Sequence, residues 1–125
     1  MNKPTKKTEI EQLIDAIVEG IQRVKGIDLI KIDLTKINHT ECNYFIICHG
    51  NSSTQVNAIA HSVEDTVIEL TNEKPWHTDG YKNATWILLD YSNIMVHVFQ
   101  KEARQFYDLE NLWADAHIEY IKEEN

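Results

Sequence analysis

The chain lacks the short motifs that would settle an enzymatic reading at once. Its one glycine-bearing strand-to-helix turn carries neither GxGxxG nor a P-loop lysine. It has no HxxxH, HExxH or CxxC pair, so no metal set is written into the spacing. Basic residues are scarce: 12 lysines and arginines face 20 acidic residues, for a net charge of −8. A protein that grips nucleic acid through its phosphates needs the opposite sign, so little direct nucleic acid contact is expected. A protein partner with a basic surface fits better, because opposite fields speed encounter. Cysteine is limited to Cys42 and Cys48, with five residues between them, in or beside one apolar run. They read as buried thiols in a reducing compartment. No apolar run reaches the length of a membrane span. The start of the chain has Lys3, Lys6 and Lys7 but neither an apolar h-region nor an arginine, which argues against a secretory or transit segment. Together these absences point to a cytoplasmic protein.

What is present suits a folded domain. With 42% hydrophobic residues, the 125 residues can bury a single core, and no repeat or linker divides them. Residues 1–125 therefore read as one domain, with 1–7 and 116–125 as flexible ends. Thr8 and Glu11 form a capping box, followed by Ile10, Leu13, Ile14, Ile17, Val18, Ile21 and Val24 at helical spacing; Gly26 reads as the stop. Residues 27–34 alternate as a strand. Tyr44 to Cys48 is a continuous apolar run, which fits a central strand buried on both faces. His49-Gly50-Asn51-Ser52-Ser53 then opens a second helix, with Ser52 or Ser53 as its cap. Pro75 allows a short edge strand near Trp76.

The last third is the most ordered in pattern. Ala84 to Tyr91 reads as a strand with Trp86, Leu88 and Asp90 on one face and Ile87 and Leu89 on the other. Ser92-Asn93 is a hairpin-length link, with Asn93 able to accept positive φ. Ile94 to Phe99 returns antiparallel. Gln100 to Phe106 is helical, and Asp108 can cap a further turn carrying Leu109, Leu112 and Trp113. The order of elements predicts an α+β fold with helices covering a mixed sheet. Trp86 has two readings: burial ranking makes it a core residue, whereas beside Asp90 it has the character of an interface anchor. Tyr107 and Trp113 read as packing residues. The six histidines include His97, read as a hydrogen-bonded sheet residue, and His49, a base or anion contact with no nucleophile placed beside it.

These residues, taken together, resemble the ribosomal silencing factor family, also called the iojap family. The matching pieces are Tyr44-Phe45-Ile46-Ile47, Gly50-Asn51-Ser52 with Gln55, Trp86-Ile87-Leu88-Leu89-Asp90-Tyr91 and Val96-His97-Val98-Phe99. Glu102, Arg104, Phe106-Tyr107-Asp108-Leu109-Glu110 and Leu112-Trp113 complete the pattern. His49, Ser92-Asn93 and the Lys74–His77 stretch depart from it. The resemblance implies a nucleotidyltransferase-like fold, a five-stranded mixed sheet with helices, without the activity of that fold. It implies a translational repressor that is not an enzyme and needs no cofactor or metal. Such a factor binds the large ribosomal subunit through its fourteenth protein and blocks joining of the small subunit when nutrients are scarce. It places Trp86 on the partner-binding surface, and Asp90, Leu88, Tyr91 and His97 complete the candidate set. A homodimer of the free protein is also expected, since an exposed Trp86 favours one. The rival reading is a small nucleotidyltransferase using the Gly50-Asn51-Ser52 loop. That chemistry wants two acidic metal ligands one residue apart on the adjacent strand, and residues 84–91 supply only Asp90.

Overall fold

The computed structural model describes residues 7–37 and 42–123. Helix α1 (Glu9–Arg23) starts as the capping pattern predicts, with the Glu11 amide donating to Thr8 Oγ1 at 3.1 Å. Its apolar stripe, Leu13, Ile14, Ile17 and Ile21, is buried against helix α2 (Ser53–Thr71). The two helices meet where Gly20 has no side chain: a Cβ there would lie 2.8 Å from Val63 Cα. The turn after α1 differs from expectation. Lys25 takes the left-handed conformation at φ 58°, not Gly26. Gly26 is needed for space instead, because its Cβ would fall 2.4 Å from Ile21 Cγ2.

Beside the helices run β1 (Ile27–Asp33), β2 (Tyr44–Gly50), β3 (His77–Asp79), β4 (Trp86–Asp90), β5 (Ile94–Gln100) and β6 (His117–Tyr120). The sheet has six strands in the order β3-β4-β5-β2-β1-β6, not the expected five. Of the end expected to be flexible, 116–125, the sixth strand places 117–121 in the sheet: Ile118 pairs with Ile32, and the Ile121 amide donates to Leu29 O at 2.9 Å, while 124–125 lie outside the described residues. The expected flexible start falls almost wholly outside the described residues. Only β2 and β5 run parallel, and α2 supplies the crossover after β2. The short β3 lies at one edge, next to the proline, as expected.

The hairpin between β4 and β5 closes on Ser92 at φ 74°, with the Asn93 amide on Tyr91 O at 3.0 Å. That is a γ-turn, held by the Ser92 amide on Asp90 Oδ1 at 2.7 Å, and Ser92 rather than Asn93 takes the positive φ. Short helices α3 (Lys101–Tyr107) and α4 (Leu109–Leu112) follow. Asp108 ends α3 in the left-handed region at φ 48° and gives α4 no side-chain cap, contrary to expectation.

Alternation along the strands divides the core in two. On one face Cys48, Ile46, Ile87, Leu89, Val96 and Val98 bury against α1 and α2. On the other, Ile30, Ile32, Ile47 and Phe99 pack under Ala103, Leu109 and Trp113. Because β2 is covered on both sides, it reads as an unbroken apolar run rather than an alternating one.

Candidate functional site

The second face of the sheet is only partly roofed. Trp86, Leu88 and Asp90 stand on it opposite Phe99, His97 and Met95 of β5. The period-2 geometry that turns Ile87 and Leu89 into the helical layer necessarily turns these three outward. The result is a half-buried row, Trp86, Leu88, Asp90 and Met95, which α3 reaches only at Trp86.

An aromatic layer fixes Trp86. Its indole stacks on Phe99 at 4.9 Å between centroids and meets Tyr107 at 4.7 Å. Its Nε1–H donates to His97 Nδ1 at 3.1 Å. His97 in turn meets Phe45 at 4.6 Å, and Phe45 meets Trp113 edge-on at 5.9 Å. The two readings of Trp86 thus merge: the ring is packed among aromatics yet only half-buried. The layer runs on into exposed apolar surface, because Tyr107 is 48% exposed and Phe106 is 81% exposed. Sequence reasoning placed Tyr107 purely as packing and did not single out Phe106. Their signal was available in the helical spacing, which cannot hide two consecutive aromatics on a seven-residue helix.

Two members of the expected set lie elsewhere. Tyr91 is 4% exposed and belongs to the helical side of the core, because odd positions of β4 point there. Its Oη makes no hydrogen bond, and burial followed by the charge of Glu64 pushes its pKa up. His97 is on the right face but buried beneath Trp86, so it supports the surface rather than forming it. Accepting from Trp86 at Nδ1 leaves the ring proton on Nε2, a buried donor with no partner.

Burial lowers the His97 pKa from 6.5 to about 4. In the unfolded chain the ring takes a proton below pH 6.5, while the folded chain refuses it until about pH 4. Stability contributed by neutral His97 is therefore complete above pH 6.5 and falls as pH drops through this window. Between pH 7 and 5 the expected loss is about 2 kcal/mol. Urea unfolding at both pH values checks it, with His97→Gln expected to flatten the dependence; an equal slope in the variant would assign the loss elsewhere.

The arginine in the helix after β5 is structural. Arg104 is buried, and its Nη1 donates to Asp28 O at 2.7 Å, Ile27 O at 3.3 Å and His49 Nδ1 at 3.0 Å. Its Nε reaches Glu110 at 3.3 Å. His49 is therefore a neutral acceptor, and burial, then Arg104, lowers its pKa. The Gly50-Asn51-Ser52 loop is occupied by capping. The Gln55 amide donates to Ser52 Oγ, and Gln55 Oε1 takes the Asn51 amide at 2.8 Å. Among the described residues no three His, Cys, Asp or Glu side chains gather closely enough to hold a metal ion. Cys42 and Cys48 are both free and buried, and burial pushes Cys48 up to about 12. No helix among the described residues is long and apolar enough to cross a membrane.

The arrangement offers a contact surface. Comparison with known proteins adds the family. The family model described as ribosomal silencing factor during starvation matches residues 7–125. A ribosomal silencing factor of Bacillus subtilis is 40% identical over 89 residues, 71% of this chain and 74% of that protein. One from Halalkalibacterium halodurans is 36% identical over 106 residues, 85% of this chain and 89% of that protein. A crystal structure of a Chromobacterium violaceum protein superposes with a TM-score of 0.79 at 30% identity, covering 86% of this chain and 88% of that one. With the family model spanning nearly all of its length, the chain belongs to the ribosomal silencing factor family.

Proposed function

We propose that this protein represses translation by docking its open sheet face on the large ribosomal subunit, through that subunit's fourteenth protein, and so blocking entry of the small subunit. The observation that carries this reading is the half-open aromatic row of Trp86 and Tyr107, continued by Phe106, beside Leu88 and Asp90. Exposed aromatics on a rigid support are the residues that carry most interface energy. The net charge of −8 adds direction: repelled by ribosomal RNA phosphates, the chain is drawn to a basic protein patch. Its working place on this reading is the cytoplasm, under nutrient limitation. In the free protein the same exposed face supports pairing of two copies, which ribosome binding would then displace.

The test is sedimentation of the purified protein with isolated large subunits, with and without small subunits. The protein is expected to travel with the large subunit and to lower the yield of joined particles in proportion to its occupancy. Equal recovery of joined particles at saturating protein would sink the proposal. Binding to the small subunit alone would do so too.

A further inference from the structure

A second exposed tryptophan stands away from this face. Trp76 is 82% exposed, the most exposed of the large hydrophobic side chains among the described residues. Its backbone is firmly held: Pro75 precedes it, and its amide donates to Asp90 O at 2.7 Å, at the free edge of the sheet. One position before His77, its side chain falls on the α2 side of the sheet, opposite to Trp86. There it borders a cavity of about 540 Å3 with Glu64, Asp65, Ile68, Lys74 and His77. Glu64 spends one carboxylate oxygen on the Tyr81 hydroxyl, and Asp65 is exposed and makes no ion pair among the described residues. Two carboxylates against one ammonium leave the notch negative beside an open indole face.

We infer that this notch between α2 and β3 receives a lysine or arginine side chain from an extended basic segment of a protein partner. An indole face attracts a cation even at an exposed position, and a neighbouring carboxylate adds to the attraction. The acidic rim repels the phosphates that would accompany a stacked nucleobase. A second copy of this chain, with a net charge of −8, brings no excess of cations to an acidic notch and would pair through the Trp86 face instead. The inference is independent of the Trp86 face, which lies on the other side of the sheet.

The experiment is an NMR titration of the 15N-labelled full chain with an acetylated, amidated hexapeptide of alternating arginine and threonine. The control is the same peptide with each arginine replaced by citrulline, which keeps the shape and removes the charge. The arginine peptide is expected to move the Trp76 indole N–H signal and the amides of Asp65 and Ile68, and the citrulline peptide is not. Trp76→Ala and Asp65→Asn are each expected to weaken binding by about fivefold. Both side chains are exposed, so the melting temperature should stay unchanged. Shifts that survive Trp76→Ala would overturn the inference. So would shifts lost on Trp86→Ala, or the same signals moved by a single-stranded RNA oligomer or by raising the protein concentration.

Discussion

Replacing Arg104 by alanine is expected to lower folding stability by about 3 kcal/mol, the largest loss for any single polar side chain described above. The guanidinium side chain is only 10% exposed and ties three segments together. It satisfies the carbonyls of Ile27 and Asp28, the imidazole of His49 at the end of β2, and Glu110 beyond α3. The two carbonyls need it because β1 shifts register between Ile27 and Ile30, with Asp28 at φ 49°, so the ladder cannot serve them there. Truncation strands them and leaves Glu110 without its cation. Glu110 is 29% exposed, so water relieves part of that cost, which places the loss at the low end of the range for broken buried pairs. A fall in melting temperature of roughly 10 °C should accompany it. Arg104→Lys should recover only part, because a point charge cannot serve four acceptors in a plane. Urea unfolding measures both, and a loss under about 1 kcal/mol would show that the clasp is redundant.

Trp86→Ala is expected to weaken binding to the large subunit by about thirtyfold or more, the scale of a central interface tryptophan. Folding should be perturbed as well, since the ring covers Phe99 and satisfies His97 Nδ1. Two companions separate the effects. Leu88→Ser changes the outward row while leaving both partners of the Trp86–His97 bond in place. Trp86→Phe keeps the stacking and loses the hydrogen bond, so it should bind better than alanine while sharing its loss of the Nε1 donor. Co-sedimentation at matched folded fraction, set by near-ultraviolet circular dichroism, gives the comparison. If Trp86→Ala and Leu88→Ser bind as tightly as the parent, the docking surface lies elsewhere.

Periodicity carried most of the fold and half of the surface. The alternation in residues 84–91 separated Trp86, Leu88 and Asp90 from Ile87 and Leu89 correctly, because a strand has only two faces. The same rule excluded Tyr91, which the family pattern nevertheless brought into the set by adjacency. The continuous run at Tyr44–Cys48 signalled a strand covered twice, as found. What stayed hidden was contact between distant segments. Nothing in the spacing ties Arg104 to Ile27 or His49, because the partners are 77 and 55 residues away and two of the acceptors are backbone carbonyls. Lys25, Ser92 and Ala84 at positive φ were equally illegible, since local packing there overrides the preference for Gly or Asn. The last strand, His117–Tyr120, was missed because its sequence is polar and half-exposed, and only pairing with β1 makes it a strand.

That last strand bears on how the protein is made. β1 is complete within the first 33 residues, yet its outer neighbour is not synthesised until residue 120. From the synthesis of β1 until that of β6, β1 therefore has one side with no strand to take its amides and carbonyls, next to the apolar Ile30 and Ile32. Such an edge is an open template for pairing with other nascent chains. The four residues of β6 cover it, so β1 depends on a segment made long after its own to lose that edge.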